Sequence, residues 1–144
     1  MYYFREEKAK YYDCDNRNLL RISAAMKYMQ QTSSEHLASL GYAVEQLYQE
    51  NLVFLLSKMN IEVHRMPLCS ESLRVGTAAT KPRGARFIRE FVIDSVEGER
   101  LVSAISHWIL VEPSTRRILR PASFPHPFHF EEVALTVPDV RYPK

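Results

Sequence analysis

The sequence predicts an α+β fold, one long helix lying against an antiparallel sheet, and three observations carry that expectation. Met26, Met29, Ser33, His36, Leu37 and Leu40 recur at spacings of three and four, the period of a helix face. After Leu52 the texture changes to β-type runs separated by short turn-forming pieces, so consecutive strands fold back on one another as hairpins. No strand–helix–strand alternation occurs, which removes the parallel α/β class.

Along the chain, Tyr2 to Tyr12 mixes aromatic and charged residues without a helical stripe and is expected as a strand. A loop, Asp13 to Arg21, follows. The periodic segment predicts a helix over Ile22 to Leu40, with Ser23 as N-cap and Gly41 as C-cap. Ala43 to Glu50 reads as a second short helix with Val44, Leu47 and Tyr48 inward. Strands are then expected over Leu52 to Met66, Ser72 to Thr80, Ala85 to Val96 and Glu99 to Glu112, with a shorter one at Arg117 to Leu119. Glu97-Gly98 and Pro82-Arg83-Gly84 supply tight turns. Leu101 to Val111 is apolar on both faces, Ile105, Ile109 and Val111 against Val102, Ala104, Trp108 and Leu110, so it is expected at the centre of the sheet. One helix covers only one sheet face; a second copy of the chain, or the Pro-rich strap from Arg120 to Phe130, is expected to cover the remainder. The last dozen residues read as a ragged tail.

With 144 residues, 46% apolar and 25% charged, the chain fits one domain, residues 1–144, rather than a disordered or membrane-spanning segment. Nineteen basic and seventeen acidic residues leave a net charge of +2, too balanced to neutralise nucleic-acid phosphates. Charges interrupt the first seven residues where a signal peptide would be apolar, and no run approaches the ~20 apolar residues that cross a bilayer. A cytoplasmic protein with no membrane partner is expected. Cys14 and Cys69 are too few for a disulfide framework or a four-cysteine zinc site.

Several residues invite chemistry. Asp13-x-Asp15-x-Arg17 has the look of a calcium loop, but Asn18 takes the glycine position, Ala24 the bidentate acid position, and Arg17 would repel the ion. These acids instead suit the electropositive start of a helix. His36, on the apolar side of the helix, reads as a core histidine ahead of a catalyst. His126-x-x-His129 is interrupted by Pro127 and has no third ligand, so no metal is expected. No G-x-S-x-G elbow is present, and neither cysteine has a partner base. Lys81, Arg83, Arg86 and Arg89 gather around a hairpin turn, either as a solvated rim or as a grip on a phosphate.

The run Met29-Gln30-Gln31-Thr32-Ser33-Ser34-Glu35-His36-Leu37-Ala38-Ser39-Leu40-Gly41 is similar to the helix of acyl-acyl-carrier-protein thioesterases. Leu56 to Pro67, Trp108 to Glu112 and Arg120-Pro121 also resemble that family, so the likeness spans about residues 2 to 121. The resemblance implies a hot-dog fold, an antiparallel sheet wrapped around one long central helix, and the hydrolysis of acyl-carrier-protein or acyl-CoA thioesters in fatty acid biosynthesis. Those enzymes carry two hot-dog repeats, with the catalytic Asn and His in the second; this chain is one repeat long and resembles the first, so those roles find no positions here. Tyr12-Asp13-Cys14-Asp15 is in turn similar to the Asp-x-Asp loop of single-repeat hydroxybenzoyl-CoA-type thioesterases. That likeness implies Asp15 as the catalytic carboxylate and the Ile22 N–H as oxyanion donor, with Asn18 and Arg17 orienting the acid. Asn18 stands where that loop usually has glycine. Sites between two protomers are implied, with Arg83 and Arg86 holding the phosphopantetheine arm or carrier and Met26 and Met29 lining an acyl tunnel. The implied assembly is a homodimer or homotetramer without a cofactor; the alternative is a module that binds acyl thioesters without cleaving them.

Overall fold

A computed structural model of the chain describes residues 2–131. The elements follow the order β1 (Tyr3–Lys8), α1 (Ile22–Ser39), α2 (Val44–Gln49), β2 (Val53–Val63), β3 (Ser72–Arg83), β4 (Arg86–Ser95), β5 (Arg100–Glu112) and β6 (Arg117–Leu119). The strands form one sheet in the order β1-β3-β4-β5-β2, with β6 also pairing β5. Every pairing between these six strands is antiparallel. The two-sided apolar strand β5 is central, between β4 and β2, as its sequence demands. The tail beyond Glu131, expected to be ragged, lies outside the described residues.

Local differences from the sequence reading have identifiable causes. The first strand ends at Lys8 because the next residue, Ala9, exchanges backbone bonds with Glu71 and Ser70 and the chain then tightens into a 3-10 turn at Tyr11–Asp13. Ser23 is not the N-cap. The Arg21 N–H bonds the Asp13 carbonyl and its backbone is extended (φ −72°, ψ 146°), so Arg21 takes the cap position and Ser23 is already helical. Strand β3 continues past Thr80 through Pro82, with an irregularity between Thr80 and Arg83, a place where a residue without an N–H is tolerated.

Helix α1 packs on β1 and β3. Its N-terminal half enters a buried cluster with Ala25, Met29, Leu73, Val75, Phe91 and Ile93, none more than 1% exposed. Burial of each large member stabilises by roughly 1.5–3 kcal/mol. At the far end Gly41 (φ 94°) closes the helix: its N–H bonds Ala38 and the Tyr42 N–H reaches back to Leu37. This turn buries Tyr42 and carries α2 beside a second cluster containing Leu47, Leu52, Phe87, Leu110 and Phe124. Phe124 and Phe128 of the strap pack edge-on against Phe87, with ring centroids 6.1 and 5.2 Å away. The strap thus anchors through its aromatics. No helix among the described residues is long and apolar enough to cross a membrane.

Candidate functional site

Two regions carry the chemistry-bearing residues, and the helix separates them. The loop at the start of α1 is closed by its own acids. Asp15 Oδ1 accepts from the Arg17 N–H (2.8 Å) and the Leu19 N–H (3.2 Å), while Oδ2 meets the Arg17 guanidinium at 3.3 Å. The backbone bonds, that to Arg17 first, hold the Asp15 carboxyl below the usual carboxylate range. A carboxylate so held is a weak base. Asn18 sits at φ 61°, a conformation that explains how it replaces glycine, and its carbonyl accepts from Cys69 N–H at 2.7 Å. Asp13 is also engaged, accepting from the Tyr28 hydroxyl at 2.8 Å. Ile22 opens the helix with its side chain exposed, and a first-turn N–H has no intrahelical acceptor. Burial pushes the Cys14 thiol up to about 11, away from nucleophilic reactivity.

The second region is a cavity of about 330 Å³ at the other half of the helix. Gln30, Ser33, Ser34 and Leu37 of α1 form one wall, and Val44, Leu47 and Tyr48 of α2 another. Phe54, Phe87 and Trp108 of the sheet and Phe124 and Phe128 of the strap complete it. The lining is mostly apolar and aromatic, as in sites for small amphipathic ligands. Among the described lining residues there is no carboxylate, histidine or cysteine. The only cationic one is Arg89.

Met26 and Met29 do not line this cavity; Met29 is wholly enclosed in the first core cluster with Leu73, Val75, Phe91 and Ile93. Of the four basic residues near the turn, Lys81, Arg83 and Arg86 are exposed, while Arg89 is 8% exposed. The rim reading therefore fails for Arg89. Its Nη1 lies 2.9 Å from His36 Nδ1 and 3.2 Å from Thr77 Oγ1. His36 is structural in this setting: buried, stacked on Tyr3 at 5.4 Å, and lowered to about 4 by burial and then by the Arg89 charge. His126 packs flat on Tyr42 at 5.4 Å, and its Nε2 is 2.6 Å from Glu50. Among the described residues no three His, Cys, Asp or Glu side chains gather as metal ligands.

The His36–Arg89 pair escaped the sequence reading. Strand alternation held the signal, since Arg89 shares a face with Phe87 and Phe91, both buried.

The model of the family described as the acyl-ACP thioesterase N-terminal domain matches residues 2–122. A chloroplastic acyl-[acyl-carrier-protein] hydrolase of Cuphea viscosissima is 30% identical over 104 residues, which cover 67% of this chain and 25% of the plant protein. This chain thus spans about a quarter of the length of the curated relatives it matches. An acyl-ACP thioesterase from Bacteroides thetaiotaomicron superposes with a TM-score of 0.83 at 18% identity, over 97% of this chain and 58% of that one. A DHNA-CoA thioesterase from Staphylococcus aureus gives 0.78 at 17% identity, over 86% and 84% of the two chains. These structural likenesses establish the expected hot-dog fold.

Proposed function

Because the chain belongs to the acyl-ACP thioesterase N-terminal domain family, we propose that it serves the hydrolysis of acyl thioesters to free acid and thiol, and that its cavity holds the acyl chain. The observation that carries this reading is the apolar space between α1, α2, the sheet and the strap. At roughly 30 Å³ for a water-sized group, 330 Å³ accommodates about eleven such groups, the bulk of a medium-length chain. The relatives named for acyl-carrier-protein substrates support acyl-ACP as the thioester, with acyl-CoA as the other carrier. Arg83 and Arg86, exposed beside the β3–β4 turn, suit the phosphates of either carrier.

For the chemical step, Asp15 and the Ile22 N–H are the candidate groups. The positive end of the helix dipole and its unbonded N–H groups favour a developing oxyanion, and one such donor can contribute ~3 kcal/mol. Asn18 and Arg17 keep the Asp15 loop in shape. A second reading, a module that binds acyl thioesters without cleaving them, is favoured by the commitment of the Asp15 carboxylate to Arg17 and Leu19 and by the lack of a carboxylate, histidine or cysteine among the described residues of the cavity wall.

Single-turnover thiol release from medium-chain acyl-CoA and acyl-ACP separates the two. The hydrolase reading expects release by the wild type and at least a hundredfold loss in Asp15→Ala. Hydrolysis that survives the substitution removes Asp15 from the chemistry, and saturable binding without release leaves the module. A homodimer or homotetramer fits the exposed Leu55, Leu56, Val63 and Ile118 on β2 and β6, and sedimentation gives the mass.

A further inference from the structure

Arg89 is a buried cation, and among the described residues no carboxylate bonds its guanidinium. Both of its hydrogen bonds leave from Nη1 and reach neutral groups, His36 and Thr77, and among the described residues neither Nη2 nor Nε has a partner. Its guanidinium has five donors and no acceptor. Since an Arg N–H donates to His36 Nδ1, the neutral imidazole carries its proton on Nε2, which is buried and has no hydrogen-bond partner among the described residues. The cluster is therefore rich in donors, and its acceptors among the described residues are neutral. Proteins rarely keep a desolvated charge in that condition unless something else neutralises it. Arg89 also lines the cavity, where Ser33 and Ser34 supply further polar atoms on an otherwise apolar surface.

We propose that the cavity takes an aliphatic chain ending in a carboxylate, which Arg89 receives through its unengaged N–H groups. The geometry suits it: a planar fork can bond both carboxylate oxygens, while the aromatic walls cover the methylenes. This inference rests on the cavity being the acyl site. It adds that the occupant has an anion at its buried end, either as a free fatty acid or as the far carboxylate of an acyl thioester made from a dicarboxylic acid. No bond is made or broken in this step.

The test compares ligands that differ only at the end group. Decanoate should bind the wild type at least tenfold more tightly than decanol, measured by calorimetry. Arg89→Met, similar in length and uncharged, should bring the two within twofold; Arg89→Lys should retain part of the preference. The two sources are then separated. Tighter binding of the mono-CoA thioester of sebacic acid than of decanoyl-CoA assigns the carboxylate to a substrate. Equal binding of the two thioesters, with decanoate displacing both, assigns it to the free acid. Decanol bound as tightly as decanoate by the wild type overturns the proposal and leaves the acyl cavity standing, a comparison that needs no variant to fold. A preference that persists in folded Arg89→Met also overturns it. Failure of decanoate, decanol and decanoyl-CoA alike to bind removes the acyl cavity and the carboxylate proposal together.

Discussion

In its N-terminal half α1 encloses Ala25 and Met29 completely among residues of β3, β4 and β5, whereas in its C-terminal half Ser33, Ser34 and Leu37 border an open volume. The two halves belong to one helix of eighteen residues, so backbone geometry is common to both. What differs is the side chains. Apolar groups of β3, β4 and β5 close directly on Ala25 and Met29 at the first half, whereas at the second half bulky aromatics stand back on the sheet and strap opposite Ser33 and Ser34. The polar residues divide in the opposite way. Those of the loop before α1 spend their hydrogen bonds on one another, while Arg89 at the cavity retains unengaged donors. Two closely spaced acids can thus be engaged within their own loop, and a buried cation on a strand can be the group left for a ligand.

The sharpest division of the two halves comes from removing atoms at the filled one. Met29→Ala deletes a side chain that nothing can replace, and it is expected to lower stability by about 2–5 kcal/mol in urea unfolding. Affinity for acyl ligands of the folded fraction should stay within about twofold, because Met29 does not touch the cavity. A large change in ligand affinity would join the two halves into one functional unit.

A smaller effect is expected from pH. His36 has a folded value lowered to about 4, by burial and then by Arg89, against about 6.5 unfolded. The unfolded chain therefore binds a proton between these values that the folded chain refuses. The contribution is fully present above about pH 6.5 and is lost as pH falls toward 4, at roughly 1.4 kcal/mol per unit, so about 2 kcal/mol is gone at pH 5. Urea unfolding at pH 7 and pH 5 measures this. His36→Gln, which keeps an acceptor for Arg89, should show a smaller loss across the same interval.

Much of this architecture was legible in the sequence because it rests on local periodicity. The helix face from Met26 to Leu40 and the two-sided apolar run of β5 each demand their observed places, and Gly98 and Gly84, at positive φ, mark the hairpin turns. Cap chemistry was less legible: Ser23 has the right side chain, but the bond from Arg21 to Asp13 decides where the helix begins. The candidate site divides along the same line. Asp15 was singled out through the resemblance of its Asp-x-Asp loop, yet its engagement by Arg17 and Leu19 depends on a loop conformation that the motif does not specify. Met29 and Ser33 both lie on the inward stripe, and only the packing of strands distant in sequence sets one against a filled core and the other against an open volume. Arg89 was obscured by its neighbours in sequence, Arg83 and Arg86, which are exposed.

The open half is tested by adding atoms. Ser34 is half-buried on the cavity wall, and Phe has a helix propensity close to that of Ser, so Ser34→Phe places a ring into existing space without a large backbone cost. The ring displaces several methylenes of a bound chain. Decanoyl-CoA is therefore expected to bind at least tenfold more weakly, about 1.4 kcal/mol, while hexanoyl-CoA is affected less than threefold. Thermal stability should stay level or rise, since the ring fills a volume that the unliganded fold leaves open. If both chain lengths weaken equally, the substitution has disturbed the wall as a whole rather than shortened the space. If neither weakens, the acyl chain lies elsewhere, and the difference between the halves of α1 is one of packing alone.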